Sequence, residues 1–178
     1  MKSVQSRPVT LTQDCTGHVA AIADVVRTAF TRRYGNGDGE VALIEALRAD
    51  GDVVVEMVAL EEGEIVGHVL FSSMAADPEA CRIAALAPVA VRTDRQSQGI
   101  GDALIRAGLA VCRENGIDAV IVLGDPPYYG RFGFDSALAA HLASPYAGPH
   151  LQALEFQAGL LGRARSVAHA PAFARMEG

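Results

Sequence analysis

The chain has no long apolar run. Nothing in it approaches the roughly 18 consecutive apolar residues that a membrane-spanning helix needs, although 50% of its 178 residues are hydrophobic. Met1 to Thr10 lacks the apolar stretch of a secretory leader, so a cytoplasmic location is expected. Cysteine is scarce. Cys15, Cys81 and Cys112 are odd in number and far apart, which argues against a disulfide scaffold and for reduced thiols. Among the five histidines, none has ligand-like spacing to another histidine or to a cysteine, so no metal site is expected. Positive charge is not in excess either. A formal net charge of −6 speaks against nucleic acid as a main partner. It would suit a cationic substrate, and equally an ordinary acidic cytosolic protein. No internal repeat and no linker divides the chain. One domain over residues 1–178 is expected, with a core at about 9–135 and C-terminal strands at about 136–172.

What is present reads as an alternation of helices and strands. Val9 to Thr12 is β-like, and Thr16 is a suitable N-cap for a helix from about Gly17 to Thr31. Val19, Ile22, Ala23, Val26 and Phe30 in that helix follow the spacing of one buried face. Tyr34 to Gly39 alternates glycine with polar residues. Without a terminal glutamate it is a flexible loop rather than a calcium loop. A short helix follows over Glu40 to Ala49. Val53 to Leu60 and Ile65 to Ser72 form a hairpin turned by Glu61-Glu62-Gly63, and His68 in its second strand reads as structural. Met74 to Glu79 is expected to be a loop. Ile83 to Val91 is a strand containing Pro88, which cannot donate to a ladder and so implies a bulge or a splayed edge. Ile100, Ala103, Leu104, Ala107 and Val111 mark the apolar face of a helix that stops at Asn115-Gly116. Ala119 to Leu123 has the uninterrupted apolar character of a buried parallel strand, completing a βαβ unit. Leu151 to Phe156 and Arg165 to His169 are the last strands.

The most informative stretch is Gln96-Ser97-Gln98-Gly99-Ile100-Gly101, where a strand runs through a glycine-spaced turn into a helix. Helix N-termini present unpaired N–H groups and partial positive charge, and so suit a phosphate. A Walker loop requires a lysine and a hydroxyl residue after its last glycine, and none follows Gly101. A dinucleotide fingerprint requires a third glycine or alanine where Leu104 stands. The remaining reading, from spacing alone, is either a phosphate-binding turn or a plain glycine-capped helix start.

Gln96-x-x-Gly99-x-Gly101 resembles the [RQ]-x-x-G-x-[GA] signature of the GNAT superfamily of acyl-CoA-dependent N-acyltransferases. Tyr129-Gly130-Arg131-Phe132-Gly133-Phe134 is similar to that family's Y-x-[KR]-x-G-F segment. The runs Leu86 to Val91 and Gly124 to Phe134 look like an uncharacterised bacterial branch of predicted acetyltransferases, with Ser97 where that branch commonly has glycine and Gly130 where many relatives carry a charge. The resemblance implies an α/β (α+β) fold: a mixed, mostly antiparallel central sheet with splayed middle strands, flanked by helices. It implies an N-acetyltransferase that moves an acetyl group from acetyl-CoA to a primary amine by direct attack, with no metal. The coenzyme would be held by Val89, Ala90, Val91, Gln96, Ser97, Gln98, Gly99, Ile100, Gly101 and Asp102, and Tyr129 would be the general acid.

Asp125 and Glu56 are candidate bases, and Tyr128 is expected to pack or to touch the coenzyme. The acceptor would enter between the first two helices and the C-terminal strands, near Phe30 and Tyr34. The implied partners are acyl-CoA and an amine acceptor, with no nucleic acid or membrane, and with homodimerisation left open. A non-catalytic acyl-CoA sensor on the same fold is the alternative, and a nucleotide-binding or structural domain a more distant one.

Overall fold

A computed structural model describes residues 8–79 and 81–176. Strand β1 (Thr10–Thr12) leads to helices α1 (Val19–Tyr34) and α2 (Asp38–Asp50). Strands β2 (Val53–Glu61), β3 (Glu64–Asp77) and β4 (Ile83–Val91) follow, then α3 (Ile100–Glu114) and β5 (Ala119–Leu123). The short helices α4 (Pro126–Tyr129) and α5 (Ser136–Ala139), strands β6 (Leu151–Glu155) and β7 (Ser166–His169), and a last turn α6 (Pro171–Ala174) complete the order.

One seven-stranded sheet runs β1-β2-β3-β4-β5-β6, with β7 pairing on β3. Every pairing is antiparallel except β4 with β5, which α3 connects as a parallel crossover. Alternation along β2 and β3 gives the sheet two apolar faces. Val55, Met57, Ala59, Val69 and Phe71 meet Leu104, Ile105 and Leu109 of α3. Val58, Ile65 and Leu70 meet Ile22, Val26, Ile44 and Leu47 of α1 and α2. A third cluster around Ile121, Leu142 and Leu151 seats the C-terminal segment.

Several boundaries differ from the expectations. Thr16 does not cap α1: the helix begins at Val19 behind His18, and the Thr16 N–H is donated to Asp14 Oδ1 at 3.0 Å. The glycine-rich loop shrinks to Gly35–Gly37, because Asp38 opens α2 and its Oδ1 accepts from Arg27 Nε at 2.8 Å. Met74 to Asp77 is strand rather than loop, since β7 arrives from far along the chain to pair with it. On α3 the buried stripe is Ile100, Leu104, Ile105, Gly108, Leu109 and Cys112, and Ala103 faces solvent. Gly108 turns this face inward. A Cβ there would lie 2.2 Å from the Phe71 ring, so only glycine lets the helix settle so close.

Candidate active site

Between β4 and β5 the sheet opens. The two strands pair only through Ile83–Ala119, Ala84–Val120 and Ala85–Ile121. Beyond these, Leu86 to Val91 has no partner on its β5 side. β3 carries a register shift between Val69 and Phe71 opposite this point, and Pro88 lies in the opened part. The splay expected at Pro88 is therefore present.

At the open end, β4 passes through a single 3-10 turn (Thr93–Arg95) into the glycine turn. Gly99 is the residue before α3 and has φ +82°. Ser97 has φ 62°, a left-handed conformation that glycine adopts more readily than serine. Among the described residues, the backbone N–H groups from Ser97 to Asp102 donate no hydrogen bond, and the first turn of α3 is closed by Ala103 N–H to Gly99 O at 3.0 Å. A row of unused donors thus lies at a helix N-terminus. Its side chains do not fill it. Gln96 Nε2 donates to Val91 O (3.1 Å) and Gln98 Nε2 to Asp94 O (3.2 Å), so both amides stiffen the turn. Arg95 donates to Glu61 Oε2 at 2.8 Å and its charge is thereby occupied.

Tyr129 comes from the far side of the gap. After β5 the chain turns at Gly124-Asp125, and the Asp125 carbonyl accepts the N–H groups of Tyr128 (3.1 Å) and Tyr129 (3.0 Å). Gly124 is required for the packing: a Cβ there would lie 2.3 Å from the Tyr129 ring. Phe134 and Tyr128 pack edge-on against that ring at 5.9 and 4.9 Å. The Tyr129 hydroxyl has no hydrogen-bond partner among the described residues. Burial, more than the neighbouring Tyr128, pushes its phenol up to about 12, so it stays protonated. The Tyr128 phenol is also raised, first by burial and then by Asp102, to whose Oδ1 its hydroxyl donates at 3.3 Å. Arg131 completes this group with a 3.0 Å bond to the same oxygen while lying over the Tyr128 ring at 4.4 Å.

A cleft of about 1130 Å³ joins these parts. Gln96, Ser97, Gly99, Ile100, Gly101 and Asp102 line one end, and Val89, Val91, Leu123 and Tyr129 line the middle. Of the predicted binding residues, Ala90 and Gln98 are not in the lining: the Ala90 side chain packs under α1 and α2, and Gln98 is exposed. The other end runs between α1, α2 and the C-terminal segment, past Phe30, Arg33, Tyr34, Glu40, His169 and Phe173. All four tyrosines of the chain line the cleft. Arg33, Glu40, Tyr146, His169 and Phe173 were not singled out from the sequence. The first two lie on helix faces that read as solvated, and the others follow segments too short to carry a periodic signal.

Of the two candidate bases, Asp125 lines the cleft and Glu56 does not. Glu56 Oε1 accepts from the wholly buried His68 Nε2 (2.7 Å) and from Arg48 Nη2 (2.5 Å). Burial alone would raise its carboxyl, but these hydrogen bonds and the adjacent positive charge outweigh it and hold it at about 2. A carboxylate so stabilised is a poor proton acceptor. All three thiols are raised by burial, Cys15 to about 11 and Cys112 to about 12, so none is activated as a nucleophile.

A mostly antiparallel sheet split at one parallel joint, with undonated helix N–H groups at the mouth of the split, defines a class of protein built to take an extended ligand with an anionic head. The Acetyltransferase (GNAT) family matches residues 19–134, and the chain belongs to that family. It is 40% identical over 114 residues to the uncharacterised N-acetyltransferase YhbS of Escherichia coli K12, covering 64% of this chain and 67% of that protein. It is 33% identical over 126 residues to YjhQ of the same organism, covering 67% and 69%. The fold matches a crystal structure of Escherichia coli YhbS in complex with CoA, with TM-score 0.86 and 27% identity over 98% of this chain and 97% of that one. It also matches a GNAT acetyltransferase from Brucella melitensis in complex with acetyl-CoA, with TM-score 0.80 and 30% identity over 94% and 99%.

Proposed function

We propose that this acetyltransferase takes its acetyl group from acetyl-CoA and transfers it directly to an amine. The observation that carries this reading is the row of unused N–H groups from Ser97 to Asp102 beside the unpaired edge of β4. The pyrophosphate would accept from these N–H groups, each charge-assisted bond contributing about 1.5–3 kcal/mol, with about 0.3–1 kcal/mol more from the helix terminus. The pantetheine arm would lie as an added strand along Val89 and Val91, supplying the pairing that the split removes. The relatives crystallised with CoA and with acetyl-CoA support the choice of coenzyme.

In the transfer, the amine nitrogen attacks the thioester carbon, the C–S bond breaks, and the sulfur leaves with the bonding pair. Tyr129 donates a hydrogen bond to the departing sulfur, which leaves as the thiolate, and the amine releases its proton to water, with Asp125 the acidic residue at hand. A free transfer from a phenol of pKa about 10 to a thiolate of about 8.5 is uphill by roughly 2 kcal/mol. The raised Tyr129 phenol makes it steeper, so the hydroxyl acts as a hydrogen bond that tightens as charge builds on sulfur. A lysine-type amine needs roughly 4.6 kcal/mol to reach its neutral form at pH 7, starting from a pKa of about 10.4.

Acetyl-CoA at a hundred times its Kd is expected to add about 2.7 kcal/mol and to raise Tm by roughly 5–11 °C. Thiol release with a panel of amines then distinguishes catalysis from mere binding. A shift without release from any amine would favour a sensor, and no shift would remove the coenzyme from the account.

A further inference from the structure

Three arginines line the cleft, and two of them are held by carboxylates. Arg95 is bonded to Glu61, and Arg131 to Asp102. Arg33, at the end of α1, differs. Among the described residues it has no carboxylate within the 4.0 Å of an ion pair. Its guanidinium lies over the Tyr34 ring at 5.3 Å, and that ring is stacked on Phe30 at 5.9 Å with 28° between the planes. A guanidinium over an aromatic ring can turn its N–H edge to a ligand, the arrangement that receives a carboxylate through two parallel bonds. Its charge also acts at the reaction centre, drawing the Tyr129 phenol down against burial. Glu40 of α2 lines the same part of the cleft and has no ion-pair partner among the described residues. This end of the cleft therefore offers one charge of each sign to a ligand.

We infer that Arg33 selects the acceptor, and that the acceptor is an amine carrying a carboxylate, of amino-acid type, bound through that carboxylate to the Arg33 guanidinium. The inference rests on the acetyl-transfer reading and adds the substrate class to it. Glu40 makes a ligand of both signs a better fit than a simple anion. A cation beside the acceptor also favours the neutral amine, the form that attacks.

The test compares L-amino acids with their carboxamides as acceptors, using acetyl-CoA and thiol release. An amino-acid amide has the more easily deprotonated amine, so chemistry alone favours the amide. A preference for the acid must come from binding. The expected result is an acid-to-amide ratio in kcat/KM of about 10 or more. In Arg33→Ala the ratio should fall to about one, through a higher KM for the acid, and Arg33→Lys should recover part of it. The Tm shift with acetyl-CoA should persist in Arg33→Ala, since among the described residues no hydrogen bond or ion pair joins this exposed side chain to the glycine turn. Amides equal to or better than acids, no acid turned over, or an unchanged ratio in Arg33→Ala would overturn the inference. A persisting acetyl-CoA shift alongside any of these leaves the donor reading standing, whereas loss of the shift in the unaltered chain removes both.

Discussion

Tyr129 is a hydroxyl without a hydrogen-bond partner among the described residues, set where the sheet parts and kept protonated by burial. A group with these properties is useful to a leaving thiolate and of little use to folding, because its ring rather than its hydroxyl makes the contacts. Tyr129→Phe is therefore expected to lower kcat by about 10-fold or more, the range usual for a positioned acid. Tm and the acetyl-CoA response should stay near those of the parent. Unchanged turnover of a verified amine would take Tyr129 out of the mechanism. Its neighbour Tyr128 serves the fold instead. Bonded to Asp102 and covered by Arg131, it ties α4 to the first turn of α3.

At the scale of elements, α3 and its turn form the glycine-turn end of the cleft, and the room there is limited. A Cβ at Gly101 would come within 3.3 Å of the Tyr128 hydroxyl and 3.6 Å of Val91. Gly101→Val would crowd the space in front of the N–H row while leaving the buried stripe of α3 intact. The expected outcome is a folded protein whose Tm no longer responds to acetyl-CoA, and a normal response would overturn the assignment of the turn.

The opposite face of the sheet is held by Arg48, Glu56 and His68, which join α2 to β2 and β3. A carboxyl held at about 2 instead of 4.5 contributes on the order of 3 kcal/mol at neutral pH. Because this pKa is depressed on folding, the contribution is full above about 4.5 and is lost as pH falls towards 2. Glu56→Gln should lower stability at pH 7, and denaturant titrations should converge with those of the parent at about pH 2. An equal gap at both pH values would contradict this account. The elements whose partners are close in sequence were the legible ones: β4 and β5 have the predicted bounds Ile83–Val91 and Ala119–Leu123. The end of β3 was missed because its partner β7 lies about ninety residues on. The rotation of α3 was missed because one absent side chain, at Gly108, decides it.

Across the whole molecule, the glycine-turn end of the cleft was legible because it is local: one turn and one strand form it. The other end was legible only in outline, as a mouth near Phe30 and Tyr34, since it is assembled from α1, α2 and the C-terminal segment, and no short stretch contains it. The two ends meet where the sheet is weakest. Only three residue pairs join β4 to β5, so the gap-facing N–H groups from Leu86 to Val91 and at Val122 and Leu123, where β4 pairs only with β3 and β5 only with β6, should exchange faster than those of strands paired on both sides. Acetyl-CoA should slow exchange in these segments more than elsewhere, as mass spectrometry of the peptides would record. Protection confined to α3 alone would mean that the ligand does not bridge the split.

The same opening has a consequence for the life of the empty protein. Most sheets have unpaired strands only at their outer margins, where short length, charge or bulges discourage another chain from docking. Here two such margins lie in the interior, and Leu123, an apolar residue at the end of one of them, is 49% exposed. If acetyl-CoA lies along β4 as proposed, an empty chain carries a template for strand addition that a loaded chain would conceal. Supply of acetyl-CoA would then guard against self-association as well as provide the acetyl group, and the fraction of protein that aggregates on mild heating should fall as the ligand is added.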